Sequence, residues 1–277
     1  MRTLTDDNLN IHQVTFRDRW SFRESIEGMA SHGIHQTAVW RDKLHEAGVD
    51  ESARILRDNG MRVSSICPVG LLTASDQRGF QANLDDNRRA IEEAVTIDAP
   101  CLNFLSGGLP PDSKDIDSAR AQALEALSVL VPEARAAGIR MGIEPLHPMV
   151  CSFRAVLCTL EQTNDWCDQL NADDTVGVVV DTYHIWWDPN MAREITRAGD
   201  RICAFHINDW LEDTEDVRLD RGMMGDGVID IPSIRKMVED TGYDGPPEVE
   251  IFSAKNWWRR DPNEVIRIIK ERYQTFV

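Results

Sequence analysis

Eight short apolar segments recur along this chain, and the stretches between them show helical spacing. The apolar segments are typical of buried parallel strands and cover residues 9–14, 33–40, 61–67, 101–105, 139–145, 176–181, 202–207 and 247–252. The helical patterns between and after them include residues 52–60, 83–98, 117–138 and 261–274. Alternating strands and helices favour a parallel sheet. Because eight parallel strands close into a barrel, we predict an α/β fold of the (β/α)₈ TIM barrel type.

The length and composition of the chain agree with one such domain. Its 277 residues are close to the roughly 250 of a typical (β/α)₈ barrel. Hydrophobic residues make up 42% of the chain, which is enough for a large core. No linker divides the chain, so we predict a single domain over residues 1–277. An open doubly wound sheet is the alternative, but the G-x-G-x-x-G and G-K-[ST] motifs of nucleotide-binding folds are missing.

The charge of the chain limits its partners. A formal net charge of −17 argues against nucleic acid, because binding a phosphate backbone requires a basic surface. It also argues against anionic membranes, and no stretch approaches the roughly 20 apolar residues that span a bilayer. The first residues lack the apolar core of a secretory signal. These features predict a cytoplasmic protein with a small-molecule substrate.

The six cysteines are predicted to be free thiols. No CxxC pair occurs among them, so no zinc ribbon is expected. Cys67, Cys101 and Cys203 lie in or beside predicted strands, where a buried thiol behaves as a small apolar side chain. Free buried thiols agree with a cytoplasmic location.

Four of the predicted strands carry, at or just before their carboxyl end, a residue that can hold a metal ion. These residues are Glu144, Asp181, His206 and Glu250. A parallel barrel brings the carboxyl ends of all its strands to one face, so the four side chains are expected to converge. One imidazole and three carboxylates suit Mn²⁺, Mg²⁺ or Co²⁺ better than a structural zinc site. Glu248 points to the same side of its strand as Glu250 and is the rival for that position.

Further polar and aromatic residues follow these strands. His184 comes three residues after Asp181 and is expected to orient a ligand or contact the substrate. His147, in the Pro-bracketed turn EPLHP, is a candidate base. Arg221 lies in the glycine-rich part of the loop 208–230, which we expect to shape the edge of the site. Aromatic residues beyond the sixth and seventh strands could form walls for a sugar ring or pack at the barrel rim: Trp186, Trp187 and Trp210.

Taken in order, the motifs IEPLHP, VDTYH, FHIND, DRGMMGDGVID and EVEIF resemble the xylose isomerase-like barrel superfamily, the sugar phosphate isomerase/epimerase group. The resemblance covers nearly the whole chain. It implies that one divalent ion is held as in the ketose 3-epimerases, by Glu144, Asp181, His206 and Glu250, with the two glutamates acting as acid and base. It also implies that His184 and Arg221 contact the substrate. Mn²⁺ is the expected ion, with Mg²⁺, Co²⁺ and Zn²⁺ as alternatives.

At two places this chain differs from particular enzymes of the superfamily, which limits the activities that the resemblance implies. Endonuclease IV-type enzymes share the fold but carry a further histidine ligand after an Asp-Arg pair, where this chain has Gly222. DNA repair is therefore not expected. The ketose epimerases carry another carboxylate shortly after the first glutamate, whereas this chain offers His147, Met149 and Val150. The superfamily also includes inosose dehydratases, hydroxypyruvate isomerases and C-glycoside deglycosidase catalytic subunits.

The expected activity is metal-assisted proton abstraction beside a carbonyl of a sugar or keto-sugar, through an enediolate. Glu144 or Glu250 would take the proton and the other would return it, with His147 as an alternative base. An isomerase or epimerase is the first interpretation. A lyase acting on an oxo-sugar or 3-oxo-glycoside is the alternative, and a non-catalytic barrel that binds a cation or sugar is the second. A homo-oligomer or a small partner subunit is compatible with the sequence.

Overall fold

A computed structural model of the chain describes all residues, 1–277, and contains the predicted barrel. Eight parallel strands form one sheet in the order β1-β8-β7-β6-β5-β4-β3-β2. Each strand lies within the corresponding apolar segment or extends a few residues beyond it. The strands are β1 (Asn10–Ile11), β2 (Gln36–Trp40), β3 (Arg62–Gly70), β4 (Cys101–Leu105), β5 (Arg140–Ile143), β6 (Val176–Asp181), β7 (Ile202–Ile207) and β8 (Pro247–Val249).

Ten helices connect or follow these strands. They are α1 (Phe22–Ser31), α2 (Arg41–Ala47), α3 (Val49–Asp58), α4 (Gln77–Thr96), α5 (Ile116–Ala137), α6 (Leu160–Leu170), α7 (Thr182–Ile185), α8 (Met191–Ala198), α9 (Ile231–Asp240) and α10 (Pro262–Thr275). Side-chain caps set several of their starts. Asp115 accepts the backbone N–H of Ser118 at the start of α5, and Asp230 accepts that of Ser233 at the start of α9. None of the ten is both long and apolar enough to cross a membrane.

Side chains complete the barrel between β1 and β2, which are not joined by a backbone ladder. The Thr37 hydroxyl donates to the carbonyl oxygen of Ile11 over 2.7 Å. The backbone N–H of Trp40 donates to Oε1 of Gln13 over 3.0 Å. All four residues are buried. Buried backbone groups need hydrogen-bond partners, and elsewhere in the barrel strand pairing supplies them. Between β1 and β2 these two side-chain bonds supply them instead.

The core is continuous from the strands to the surrounding helices. One cluster of 64 buried residues contains Val178 and Val180 from β6 together with Leu127 and Leu130 from α5. All six residues of β6 are buried, as expected for a strand covered on both faces. The six cysteines are free thiols, four of them buried.

The loop 208–230 is organised by one buried carboxylate. Asp209 accepts backbone N–H groups from Gly225 and Gly227 through Oδ2, and from Ile229 through Oδ1. A Cβ on Gly227 would lie 2.0 Å from the carbonyl oxygen of Trp210, so only glycine fits there. A short antiparallel pair, Asp209–Trp210 with Arg221–Gly222, then directs Arg221 into the protein interior.

Candidate active site

The four predicted ligand residues meet at the carboxyl ends of β5 to β8. Glu144 and Glu250 directly follow β5 and β8, and Asp181 and His206 are paired across β6 and β7. One ligand atom from each residue lies within 4.8 Å of the other three, and all four side chains are buried. The convergence follows from the parallel barrel, because residues far apart in sequence share the face where the strands end.

His206 and Asp181 each direct one side-chain atom towards this cluster. Nδ1 of His206 lies 3.6 Å from Oε1 of Glu144 and has no hydrogen-bond partner, whereas Nε2 lies 3.2 Å from the side-chain amide of Asn103. Oδ1 of Asp181 accepts the backbone N–H of Tyr183 and the side-chain N–H of Asn208. Those two bonds hold the carboxylate so that Oδ2 faces the cluster.

These residues fit a divalent cation. Three buried carboxylates within reach of one another repel each other and require positive charge. Burial raises the pKa of Glu144, partly offset by His206, while Glu144 helps to raise the pKa of His206 to about 10 against the effect of its burial. The unpartnered Nδ1 of His206 is the kind of buried donor atom that a metal satisfies. Oxygen ligands with one imidazole are typical of Mn²⁺, Mg²⁺ or catalytic Zn²⁺.

Glu248 does not belong to the four-residue cluster. It accepts from the Ser64 hydroxyl over 2.9 Å, and its Oε2 lies 3.1 Å from Nε2 of His12. The other ring nitrogen of His12 lies 3.3 Å from Oε1 of Glu250. Burial lowers the pKa of His12, but its contacts with Glu248 and Glu250 raise it by more. His12 therefore connects the two glutamates, with Glu250 at the cavity and Glu248 behind it.

Arg221 reaches two members of the cluster. Its Nη1 donates to Oε2 of Glu250 over 2.7 Å and to Oδ2 of Asp181 over 3.0 Å. Its guanidinium carbon lies 4.6 Å from the ring centroid of Tyr183 and 4.7 Å from that of Phe252. Burial lowers the pKa of Arg221, but the charges of Asp181 and Glu250 raise it by more, so that it lies above its usual value. The side chain is thus a fixed positive charge with its Nε unpartnered.

His184 is a neutral histidine beside this arginine. Burial lowers its pKa to about 3. Nδ1 accepts the backbone N–H of His147 over 2.9 Å, and Nε2 lies 3.1 Å from Nη2 of Arg221. The backbone of His147 therefore sets the orientation of the His184 ring.

The predicted aromatic residues form a cluster next to the cavity. The ring centroid of Trp210 lies 4.8 Å from that of His147, 4.7 Å from that of Tyr183 and 5.8 Å from that of Trp186. Trp187 packs edge-on against His147 at 5.6 Å. None of the rings of His147, Trp186 and Trp210 lines the cavity. The tryptophan rings pack instead around His147 and Tyr183, and it is these two residues that contact His184.

The cavity opens beside the cluster and is partly open to solvent. Glu144, Glu250, His184 and Arg221 all line it, and so do Val217 and Arg218 from the loop 208–230. The prediction that this loop shapes the edge of the site is confirmed.

The family follows from a comparison of this chain with known proteins. The sequence profile of the xylose isomerase-like TIM barrel family matches residues 26–271. The chain belongs to this family. The fold predicted from the eight strand segments and the family suggested by the motifs are both confirmed.

Three relatives show what the family contains. A protein of Sinorhizobium meliloti with a known crystal structure is 46% identical, with a TM-score of 0.96 over 98% of this chain and 99% of the other. The inosose isomerase of Bacillus velezensis is 21% identical over 97% of this chain and 96% of its own length. The 3-dehydroshikimate dehydratase of Pseudomonas putida is 25% identical over 83% of this chain and 36% of its own length. The curated relatives of this barrel are therefore enzymes.

Sequence reasoning missed several residues of the site in this barrel. Trp40 and Phe252 form an apolar wall, with ring centroids 5.2 Å apart, and Arg154 belongs to the same lining. Trp40 ends β2 and His12 follows β1, so the strand-end rule that found the four ligands applied to them as well. Arg154 lies in a loop without a motif, and no sequence signal marked it.

Proposed function

We propose that this barrel is a divalent-metal-dependent enzyme that removes the proton beside a carbonyl of a sugar or keto-sugar, with isomerisation or epimerisation as the outcome. One observation carries the proposal. Glu144 and Glu250 both belong to the four-residue cluster and both face the same cavity. Two carboxylates at a cation site that face one cavity suit acid–base chemistry on a small polyol.

Glu144, Asp181, His206 and Glu250 would hold the ion. We propose Mn²⁺, with Mg²⁺, Co²⁺ and Zn²⁺ as alternatives. When bound, such an ion polarises the carbonyl of the substrate and acidifies the adjacent C–H bond.

The two glutamates divide the proton transfer between them. One carboxylate accepts the proton from carbon, and the other carboxyl group returns a proton to the neighbouring or the same carbon. Glu144 follows β5 and Glu250 follows β8, so β6 and β7 separate their backbones in the barrel. This separation lets the two groups approach a bound substrate from different sides, as epimerisation requires.

Arg221 and His184 position the substrate oxygens. Nε of Arg221 is a buried donor without a partner, and an incoming hydroxyl or carbonyl oxygen would satisfy it. His184 is neutral and lines the cavity. In this mechanism His147 acts through its backbone hydrogen bond to His184. The rings of His147, Trp186 and Trp210 lie outside the cavity lining, where Trp210 packs against His147 and Trp186 packs against Trp210.

A lyase is the second candidate. Removal of the same proton prepares the loss of a β-substituent, and the relation to 3-dehydroshikimate dehydratase favours this outcome as a real alternative. The substrate class and the catalytic groups are the same for both. Only the fate of the intermediate differs, and the products distinguish them.

The test is hydrogen exchange into deuterium oxide. The Mn²⁺-loaded protein is incubated in D₂O with a panel of ketoses and 3-oxo-glycosides, the metal is removed by chelation, and the products are analysed by NMR and mass spectrometry. We expect deuterium beside the carbonyl, with an epimer, an isomer or an eliminated fragment as product. Glu144→Gln and Glu250→Gln should abolish exchange, while Glu125→Gln on the exposed face of α5 should not. A metal-loaded protein that binds a sugar without exchange would instead be a binding barrel.

A further inference from the structure

Two arginines at the mouth of the cavity have no acidic partner. Arg154 is half-buried and Arg218 is exposed. Both line the cavity, and both also line a neighbouring cleft that shares Trp40 and Pro68 with it. Neither guanidinium group makes an ion pair or a hydrogen bond with the chain, and both face the same open space.

This lack of partners contrasts with the rest of the cleft. The chain has 47 acidic and 30 basic residues, so carboxylates are abundant. In the same cleft Arg17 pairs with Asp42, and Arg41 pairs with Glu93 over 2.7 Å. A half-buried arginine without a carboxylate is costly, because its charge is partly desolvated. Burial, with the nearby positive charge of Arg218, lowers the pKa of Arg154.

The backbone that carries Arg154 is firmly held. Its N–H donates to the carbonyl of Val150 over 2.9 Å, and two residues later Val156 donates to the carbonyl of Gly107 over 2.8 Å. A Cβ on Gly108 would come within 2.4 Å of the carbonyl carbon of Phe153, so this segment passes directly over a glycine. The unpaired arginine thus stands on a segment tied to the barrel and not on a free loop.

We propose that Arg154 and Arg218 form a subsite for an anionic group of the substrate, either a phosphate or a carboxylate. The inference rests on the proposed function for the position of the reacting carbonyl, beside Glu144 and Glu250. Both arginines line the same cavity as those glutamates, so the proposed anionic group belongs to the molecule whose carbonyl lies beside the glutamates. Guanidinium groups bind phosphate and carboxylate oxygens through paired hydrogen bonds. The substrate is accordingly a phosphorylated or acidic keto compound.

Three related ketones test the inference. Dihydroxyacetone is neutral, dihydroxyacetone phosphate carries a phosphate, and hydroxypyruvate carries a carboxylate. Their affinities for the Mn²⁺-loaded protein are measured by isothermal titration calorimetry. A charge-assisted hydrogen bond contributes about 1.5–3 kcal/mol, so we expect at least one anionic ketone to bind about ten-fold or more tightly than the neutral one.

Variants show whether the arginines cause the difference. Arg154→Gln and the double variant with Arg218→Gln should lose about ten-fold or more in affinity for the anionic ketone and leave that for dihydroxyacetone unchanged. Arg62→Gln is the matched control, because Arg62 is exposed at the amino end of β3, at the opposite end of the barrel. Preference for the phosphate or for the carboxylate identifies the anionic group.

The outcomes separate this inference from the proposed function. Equal affinity for all three ketones, weak binding of both anions, or a double variant that keeps the anion affinity would overturn the subsite. Arginine-dependent anion binding with no deuterium exchange would support the subsite and contradict the proposed reaction. Deuterium exchange into a neutral sugar, at a rate that neither arginine substitution changes, would support the proposed reaction and contradict the subsite.

Discussion

Nη1 of Arg221 lies 2.7 Å from Oε2 of Glu250 inside the barrel, and both side chains are buried. The same nitrogen lies 3.0 Å from Oδ2 of Asp181. One guanidinium group therefore contacts two of the four residues proposed to hold the metal. Its charge offsets part of the repulsion among the carboxylates, and its unpartnered Nε remains available to a substrate.

Replacing Arg221 should separate metal binding from catalysis. In Arg221→Met we expect proton exchange to fall about a hundred-fold or more, as when an oriented donor is lost from a polar active site. Affinity for Mn²⁺ should stay the same or rise, because a positive charge is removed beside the ligands. Calorimetry with Mn²⁺ and the exchange assay measure the two effects. A large loss of metal affinity would contradict this role. Arg221→Lys tests whether a positive charge suffices without the paired N–H donors of a guanidinium group.

Glu250 and Glu248 should differ sharply in their effect on the metal. Glu250→Gln removes a proposed ligand and should reduce Mn²⁺ binding below detection. Glu248→Gln removes a group outside the four-residue cluster that contacts Glu250 through His12, so a loss of about ten-fold is expected. Titration calorimetry of the two variants makes the comparison, and a reversed order would assign the ligand to Glu248.

Removal of the metal should lower thermal stability. A ligand at 100 times its Kd stabilises the native state by about 2.7 kcal/mol. For a chain of this size that corresponds to a decrease in Tm of roughly 5 °C after chelation. Scanning calorimetry with EDTA, followed by addition of Mn²⁺, Mg²⁺, Co²⁺ or Zn²⁺, ranks the ions. An unchanged Tm for all four ions would count against a metal site.

The barrel seam should depend on Thr37. Thr37→Val keeps the shape of the side chain but leaves the buried carbonyl of Ile11 without its hydroxyl donor. We expect a loss of about 1–3 kcal/mol in the free energy of unfolding. Denaturant unfolding measures it. Thr275→Val, at the exposed end of α10, is the control and should change stability by less than about 0.5 kcal/mol.

Glu194 should make stability depend on acidity. Burial raises its pKa, but bonds from Asn164, Arg193 and Arg197 lower it below the ordinary 4.5. Its ionised form therefore stabilises the fold above about pH 4.5, and this contribution is lost as the pH falls through the lowered pKa. Glu194→Gln should be less stable than the wild type at pH 7. This gap in the free energy of unfolding should close as the pH is lowered. Glu92→Gln on α4 is the exposed control. A gap that does not change with pH would contradict the prediction.

The four cluster residues could be predicted because they obey a rule that is local in sequence. Each lies at the end of an apolar segment, and a parallel barrel places all such ends on one face. The choice between Glu248 and Glu250 could not be made in the same way. Two residues apart in sequence, they are equivalent by strand periodicity, and only the tertiary structure shows that Glu250 joins the cluster and lines the cavity.

The aromatic residues that line the cavity were harder to predict than the four residues of the cluster. The sequence offered Trp186 and Trp210, which follow strands, either as walls for a sugar ring or as packing at the barrel rim. In the structure the Trp210 ring packs against His147 and Tyr183, and the Trp186 ring packs against Trp210. Trp40, the last residue of β2, and Phe252, three residues after β8, line the cavity instead.

The amino-acid sequence by itself determined the barrel, its family and the four residues of the candidate metal site, because strand periodicity and strand-end position depend only on neighbours along the chain. Tertiary structure decided which side chains share the cavity. Arg154 and Arg218 lie 64 positions apart in loops without a motif, and whether a charge is paired depends on groups that only folding brings near. The absence of a partner for these two arginines is visible only in three dimensions.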